Sequence, residues 1–122
     1  PMLPLWLSPT QVRVIPVSDK FEQDAEKIAD KIEKNGVRVD VDDRPLTMQK
    51  KIREAETEWI NFVVVIGQKE IDSGLLAVRD RRTEGIRQLK LEELVKEIRQ
   101  NMADKPFRRS VVPKLLSERP QF

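Results

Sequence analysis

The longest apolar run in the chain is the segment Phe62–Ile66. A short run of this kind, rich in β-branched residues, is typical of a strand that is covered on both faces of a sheet. The run ends at Gly67, and the charged residues Lys69 and Glu70 follow it. The segment therefore predicts a central strand, with a turn at its carboxyl end that presents a carboxylate.

The rest of the chain alternates predicted strands and helices. Apolar patterns predict further strands over residues 11–17, 37–41, 75–80 and 83–89, and a 3.6-residue apolar period predicts helices over about 20–35, from 45–47 onward, and over about 91–102. The order β-α-β-α-β-β-β-α predicts three parallel strands with right-handed crossovers, to which the later strands add partly antiparallel. The expected fold class is α/β, a five-stranded mixed sheet flanked by three helices.

The second predicted helix has one apolar and one basic face. Thr47 is expected to be its N-cap. Its inward stripe comprises Met48, Ile52, Ala55 and Trp59. Its basic residues expected near solvent are Lys50, Lys51 and Arg53. Because Trp59 continues the inward stripe, a place in the core is favoured over a role as a stacking platform.

The composition excludes several kinds of site. The chain has no Cys, no His and no Tyr, so a disulfide framework, a thiolate metal site and the commonest general base are excluded. No side chain has an ordinary pKa near neutrality, so the chain is not expected to be an enzyme by itself or to bind a metal. Its longest apolar run is far too short to cross a bilayer and no secretory leader is visible, so we expect a cytoplasmic setting without membrane contact.

Basic residues are unevenly distributed along the chain. Residues 1–104 hold 18 basic and 20 acidic groups, whereas residues 105–122 hold 5 basic groups and 1 acidic group. We therefore expect a folded domain over 1–104 and a basic tail over 105–122 that docks on another domain. Two basic stretches inside the domain, 44–53 and 79–90, are local clusters of the kind that attract a polyanion. The Pro-rich opening of the sequence favours a fragment of a longer protein.

Glu70 and Arg79 are the strongest candidate site residues. A carboxylate and a guanidinium at neighbouring strand ends suit a nucleobase, because Glu accepts from base N–H groups and Arg donates to base or phosphate oxygens. The carboxyl ends of parallel strands are also where ligands gather in open α/β sheets. The competing interpretations are a turn carboxylate at Glu70 that is paired with Lys69 or simply solvated, and a surface ion pair of Arg79 with Asp80 or Glu84.

Several short phrases occur in an order that is characteristic of one family. They include Trp6-Leu7-Ser8-Pro9, Asn35-Gly36-Val37-Arg38-Val39, Asp43-Arg44, Lys51-Ile52-Arg53-Glu54, Val65-Ile66-Gly67-Gln68-Lys69-Glu70 and Val78-Arg79-Asp80-Arg81-Arg82. With these phrases, spread over roughly residues 3–103, the sequence resembles the anticodon-binding domain of class II aminoacyl-tRNA synthetases, and that of the threonyl enzymes in particular. The tail after Asp104 is more similar to archaeal than to bacterial members.

The resemblance implies both a fold and a function. It implies a five-stranded mixed sheet with three helices, and recognition of the anticodon stem-loop of threonine tRNA. The parent would be a threonine–tRNA ligase, a homodimer that charges this tRNA with threonine in a separate catalytic domain using ATP and zinc. The chain itself would hold no cofactor and no catalytic group.

The resemblance also implies roles for individual residues. Glu70 and Arg79 match base-contacting residues of the family, and Arg44 matches an arginine in the loop that enters the second helix. Pro45 stands where many members carry an Asn used near the anticodon, which puts that contact in question. The expected contacts to the tRNA backbone are Lys50, Lys51, Arg53, Arg81 and Arg82. For the three that lie on the helix, a solvated face is the alternative.

Two other functions remain open on the same fold. An accessory or interaction module, like the polymerase accessory subunits that share this fold, would bind a protein partner and ignore the anticodon sequence. A small-molecule domain of the flavodoxin-like type would need a Gly-rich phosphate loop, which the strand ends do not offer. Anticodon recognition is the favoured function.

Overall fold

The computed structural model describes residues 10–81, 85–101 and 114–119. The strands are β1 (Val12–Pro16), β2 (Val39–Val41), β3 (Phe62–Ile66), β4 (Leu76–Asp80) and β5 (Gly85–Leu89). The helices are α1 (Glu22–Glu33), α2 (Met48–Thr57), α3 (Gln68–Ser73) and α4 (Leu91–Asn101). Short 3₁₀ turns lie at Asp19–Phe21 and Leu116–Glu118.

The strands form one mixed sheet in the order β2-β1-β3-β4-β5. Strand β1 pairs in parallel with β2 and with β3, whereas β3 pairs antiparallel with β4, and β4 antiparallel with β5. The predicted α/β fold, with a parallel centre and later strands added antiparallel, is confirmed. Among the described residues, no helix combines the length and the apolar character needed to span a membrane.

Side-chain alternation along the strands divides the sheet into two faces. One face is covered by α1 and α4, and its core includes Val12, Val64, Val78, Ala29 and Leu94. The other is covered by α2, and its core includes Ile15, Val63, Ile52, Ala55 and Ile60. We call these the α1/α4 face and the α2 face. On β4 and β5 the α2 face is open to solvent, since Ile86, directly opposite Arg79, is 61% exposed.

A short helix follows β3 where the sequence predicted a turn. Gly67 is the N-cap of α3, and Gly74 ends the helix in the left-handed conformation, with φ 74°. Glycine is favoured at such a position because it has no Cβ to crowd the backbone. The helix has six residues and none of them is buried, so it carries no apolar period from which it could be predicted.

The apolar stripe predicted for α2 is correct only in its middle. Ile52 and Ala55 are buried. The helix ends at Thr57, so Trp59 lies beyond it and is 38% exposed, while Met48 in the first turn is 37% exposed. The prediction that Trp59 and Met48 pack in the core is wrong.

The described part of the basic tail packs on this domain. Leu115 forms a parallel bridge to Val41 of β2, and the backbone N–H of Val41 donates to the Lys114 carbonyl at 3.0 Å. Leu116 is buried. Residues 114–119 therefore pack against the edge of the sheet at β2, and docking of the tail on another domain stays a prediction. Phe107 and Phe122, the aromatic residues of the tail, lie outside the described residues.

Candidate nucleic-acid interface

Glu70 lies at the carboxyl end of β3 as the third residue of α3. Gly67 is extended and lies two residues after Val65, whose side chain packs on the α2 face. Because side chains alternate along a strand, a Cβ placed on Gly67 would point to the same face. That Cβ would lie 3.5 Å from Oε1 of Glu70 and 3.1 Å from a methyl group of Val17. The carboxylate therefore lies on the α2 face. It is half-buried and has no hydrogen-bond or ion-pair partner among the residues that the structure describes.

Arg79 lies on β4, opposite Val63 of β3 and Ile86 of β5. Since Val63 points to the α2 face, Arg79 points there too. Its side chain is half-buried, and within the described ranges its guanidinium has neither a hydrogen bond nor an ion pair. Asp80, which the sequence offered as a partner, points to the other face and pairs with Arg87 at 3.1 Å.

Glu70 and Arg79 share a face without contacting each other. Val63, the register partner of Arg79, precedes Ile66 by three residues, which corresponds to about 10 Å along the strand. Glu70 follows Ile66. A carboxylate and a guanidinium, neither paired within the described residues, thus flank an open strip of sheet. An acceptor and a donor at this spacing can hold the edges of one planar base or of two adjacent nucleotides.

Arg44 is anchored in an ion-pair network at the start of α2. Its Nε and Nη2 donate to the carboxylate of Asp42 at 2.9 and 2.8 Å, and Nη2 also donates to Glu54 at 2.5 Å. Burial alone would raise the pKa of Asp42, but the hydrogen bond and the charge of Arg44 outweigh burial and hold that pKa below its ordinary value. Arg44 therefore has a structural task whether or not it also contacts RNA.

The basic residues of α2 differ in exposure. Lys50 and Arg53 are exposed, whereas Lys51 is buried and its Nζ donates to the backbone carbonyl of Asp42 at 3.0 Å. The prediction that Lys51 lies near solvent is wrong, because its long side chain crosses the helix face to reach that carbonyl. Thr47 is the N-cap as predicted, and its Oγ1 accepts from the Lys50 N–H at 3.2 Å.

Arg81 follows β4 and contacts the end of α2. Its Nη1 donates to the Glu56 carbonyl at 2.7 Å, and its Cζ lies 4.3 Å from the centroid of the Trp59 ring. Arg81 as a whole is half-buried. Arg82, the other expected backbone contact on this strand, lies outside the described residues.

A family model described as the anticodon binding domain matches residues 11–101 of the chain. The chain belongs to the anticodon binding domain family. The match covers all five strands, the four helices and the predicted site residues Arg44, Glu70 and Arg79.

Relatives and solved structures agree with this membership. The chain is 51% identical to a threonine–tRNA ligase of Pyrococcus horikoshii over 122 residues and 52% identical to one of Pyrobaculum aerophilum over 120 residues. These matches cover 100% and 98% of the chain but 20% of each relative, so the chain spans about one fifth of their length. The RNA binding domain of threonyl-tRNA synthetase from Cryptosporidium parvum aligns with a TM-score of 0.75 and 30% identity, over 89% of this chain and 26% of that one.

A second solved structure supports the fold alone. Histidyl-tRNA synthetase from Nostoc aligns with a TM-score of 0.71 at 22% identity, over 78% of this chain and 23% of that one. The fold is therefore also found in a histidyl-tRNA synthetase.

This anticodon binding domain also contains a buried ion cluster that sequence reasoning missed. Arg13 of β1 is 0% exposed and donates from Nε to Asp40 of β2 at 2.9 Å, and from Nη1 to Glu58 at 2.6 Å. Arg119 of the tail also donates to Asp40, at 3.0 Å. Burial alone would raise the pKa of Glu58, but the hydrogen bond and charge of Arg13 hold it below the ordinary value.

The cluster explains the burial of β2. Valine alternates with charged residues over 37–41, which is typical of a half-buried strand, yet Val39, Asp40 and Val41 are all buried. Asp40 can be buried because Arg13 on the neighbouring strand neutralises its charge. The sequence contains a signal for this cluster, since a basic residue inside the buried segment 11–17 needs an acidic partner. The identity of that partner depends on the order of the strands in the sheet.

Proposed function

We propose that this chain reads the anticodon of threonine tRNA as one domain of a threonine–tRNA ligase. In support, relatives that match the chain over nearly its whole length carry that name, and the chain accounts for 20% of their length. Threonine would then be attached to the tRNA in a catalytic domain elsewhere in the same polypeptide, which would also supply the sites for ATP and zinc. Under this proposal the parent enzyme is a cytoplasmic homodimer.

The observation that carries the proposal is the availability of Glu70 and Arg79 on one open face of the sheet. When anticodon bases unstack, Glu70 accepts hydrogen bonds from the N–H groups on the Watson–Crick edge of one base. Arg79 donates to base oxygens of the same or the adjoining nucleotide. A carboxylate disfavours a base edge that presents acceptors, so this pair provides selectivity as well as attraction.

The other cations divide according to their existing contacts. Lys50 and Arg53 are exposed and hold phosphates of the tRNA backbone. Arg44 donates from Nε and Nη2 to carboxylates, so any RNA contact it makes uses Nη1. Lys51 contributes indirectly, because its bond to Asp42 fixes the loop that carries Arg44.

The test is a comparison of two RNAs. The full-length protein that contains this chain is titrated with threonine tRNA and with the same tRNA carrying a different anticodon, as wild type and as Glu70→Gln and Arg79→Gln. We expect the wild type to prefer the native anticodon, and each variant to lose much of that preference. Equal binding of both RNAs by the wild type would contradict anticodon reading, and would instead favour an accessory module that binds a protein.

A further inference from the structure

Trp59 occupies a backbone position that is normally reserved for glycine. The Trp59 N–H donates to the Glu56 carbonyl at 3.2 Å and the Ile60 N–H donates to the Ala55 carbonyl at 3.1 Å. This pair of bonds is the Schellman motif that ends many helices, and it places Trp59 in the left-handed region, with φ 64°.

Tryptophan is an unfavourable choice for this position. The Cβ of an L-residue crowds the following carbonyl in the left-handed region, so Gly or Asn is preferred. The same chain uses Gly36 and Gly74 at its other positive-φ positions, and Trp59 is the one non-glycine with positive φ among the residues the structure describes. Strain of this kind marks a residue whose side chain has a task that offsets the backbone cost.

Core packing is not that task. The Trp59 side chain is 38% exposed, and it is absent from the buried clusters on both faces of the sheet. The guanidinium of Arg81 lies 4.3 Å from its ring centroid. Two hydrogen bonds hold Arg81 in place, one from Nη1 to the Glu56 carbonyl at 2.7 Å and one from its backbone N–H to the Asn61 carbonyl at 3.0 Å. The result is an aromatic–guanidinium pair at the surface.

The pair lies beside the candidate RNA site. Arg81 is two residues beyond Arg79, and its bond to Glu56 of α2 places it on the α2 face as well. Trp59 precedes β3, Arg79 lies opposite Val63 within β3, and Glu70 follows β3. These three residues are therefore spread along the length of β3. Asn61 and Ile66 are five residues apart, or about 16 Å along the strand. That length accommodates more than one nucleotide.

We propose that Trp59 and Arg81 form a second stacking site, on which an unstacked base next to the one held by Glu70 and Arg79 is seated. This inference rests on the proposed function. RNA is the favoured occupant because the partners of Arg81 within the described residues are neutral carbonyls and an aromatic ring, so no acidic group there neutralises its positive charge. A base can stack on the ring or the guanidinium while its phosphate approaches the cations at Arg79 and Arg81.

The test measures RNA affinity and stability on the same variants of the full-length protein. Trp59→Gly removes the ring and relieves the backbone, Trp59→Phe keeps an aromatic ring, and Arg81→Lys keeps the charge without the planar group. With threonine tRNA as the probe, Trp59→Gly should lose about 5- to 150-fold in affinity, the effect of removing one base–aromatic stack. Trp59→Phe should retain most of the affinity. The unfolding transition of Trp59→Gly should stay at or above that of the wild type, which separates lost binding from lost folding.

A second measurement identifies the base. Anticodon-loop nucleotides are replaced one at a time by 2-aminopurine, whose fluorescence is quenched when it stacks. One position should be quenched on binding to the wild type and to Trp59→Phe, but not to Trp59→Gly. The proposal would be overturned if Trp59→Gly bound within twofold of the wild-type affinity. It would also be overturned if 2-aminopurine at every position were quenched equally by Trp59→Gly and by the wild type.

The outcomes separate this inference from the proposed function. If Trp59→Gly binds like the wild type and anticodon preference persists, the stacking site is wrong and the anticodon reader stands. If the wild type shows no anticodon preference but Trp59→Gly still loses affinity and quenching, the proposal of anticodon reading is wrong and the proposal of the stacking site is supported. If Trp59→Gly keeps full RNA affinity but lowers the unfolding temperature of the full-length protein, Trp59 contacts another domain, which also overturns the stacking site.

Discussion

The α2 face of the sheet carries two groups of charged residues that differ in how completely they are paired. Under α2, Arg13 and Asp40 are buried against each other and Glu58 completes the cluster. On the open part of the same face, the side chains of Glu70 and Arg79 have no hydrogen-bond or ion-pair partner within the residues described. Both groups read alike in the sequence, as acids and arginines near strands. Their pairing indicates that the first group stabilises the fold while the second is available for a ligand.

Breaking the buried ion pair of Arg13 and Asp40 should have the largest consequence. Arg13→Met leaves Asp40 buried without its main partner, and loss of one member of a buried ion pair costs about 3–5 kcal/mol. Urea unfolding measures this change in the free energy of unfolding. Lys50→Met is the matched control, since Lys50 is exposed and its replacement should stay within about 0.5 kcal/mol. A cost below about 1 kcal/mol for Arg13→Met would show that the cluster is not a stabilising element.

Replacing the unpaired side chains of Glu70 and Arg79 should have the next largest consequence. Glu70→Gln and Arg79→Gln should each weaken binding of threonine tRNA by about 1–3 kcal/mol, by analogy with base-edge contacts in DNA. Because neither side chain has a partner within the described residues, the free energy of unfolding should change by less than about 0.5 kcal/mol. Arg44→Gln should show the opposite pattern and lower stability, since it breaks the network with Asp42 and Glu54. Equal loss of stability in all three variants would erase the distinction between the groups.

A smaller effect appears in the acid dependence of stability. The pKa of Glu58 is lower in the folded than in the unfolded chain, so its ionised form favours folding. That contribution is complete above the unfolded-state pKa, near 4.5, and is lost as the pH falls through the lower folded-state pKa. The Glu58 side chain is 49% exposed, so we expect less than about 1 kcal/mol. The free energy of unfolding, measured with urea, should decrease less steeply from neutral to acid pH in Glu58→Gln than in the wild type. Identical pH profiles of the two proteins would contradict this role of Glu58.

The smallest effect concerns the exposed cations of α2. Lys50→Ala and Arg53→Ala should weaken binding of every RNA similarly, without changing anticodon preference, because phosphates carry no sequence information. Each lost contact should reduce the slope of log K against log salt by about 0.7. Unchanged slopes in both variants would mean that this helix face is simply solvated.

Regular elements could be predicted from the sequence because their signals are local. The apolar run of β3 and the helical period of α1 and α4 depend on neighbouring residues, and the resulting sheet is confirmed. Trp59 was misplaced because the period of α2 continues in the sequence after the helix itself has ended at Thr57.

Tertiary partners account for the remaining errors. Lys51 can be buried because a carbonyl nine residues away accepts a hydrogen bond from its Nζ, and Asp40 can be buried because it pairs with Arg13, 27 residues earlier in the chain. Neither partner is visible to a local pattern. Glu70 and Arg79 were found through motif resemblance, whereas their placement on one open face depends on the antiparallel register of β3 and β4.

Under the proposed function, Glu70 and Arg79 act together on bound RNA, and a double-mutant cycle measures how strongly the two side chains are coupled. The affinities of wild type, Glu70→Gln, Arg79→Gln and the double variant are measured for threonine tRNA and for its anticodon-swapped form. If both side chains hold one base, the two losses measured with threonine tRNA are not additive and the preference for the native anticodon disappears in the double variant. A double variant that still prefers the native anticodon as strongly as the wild type would contradict the account.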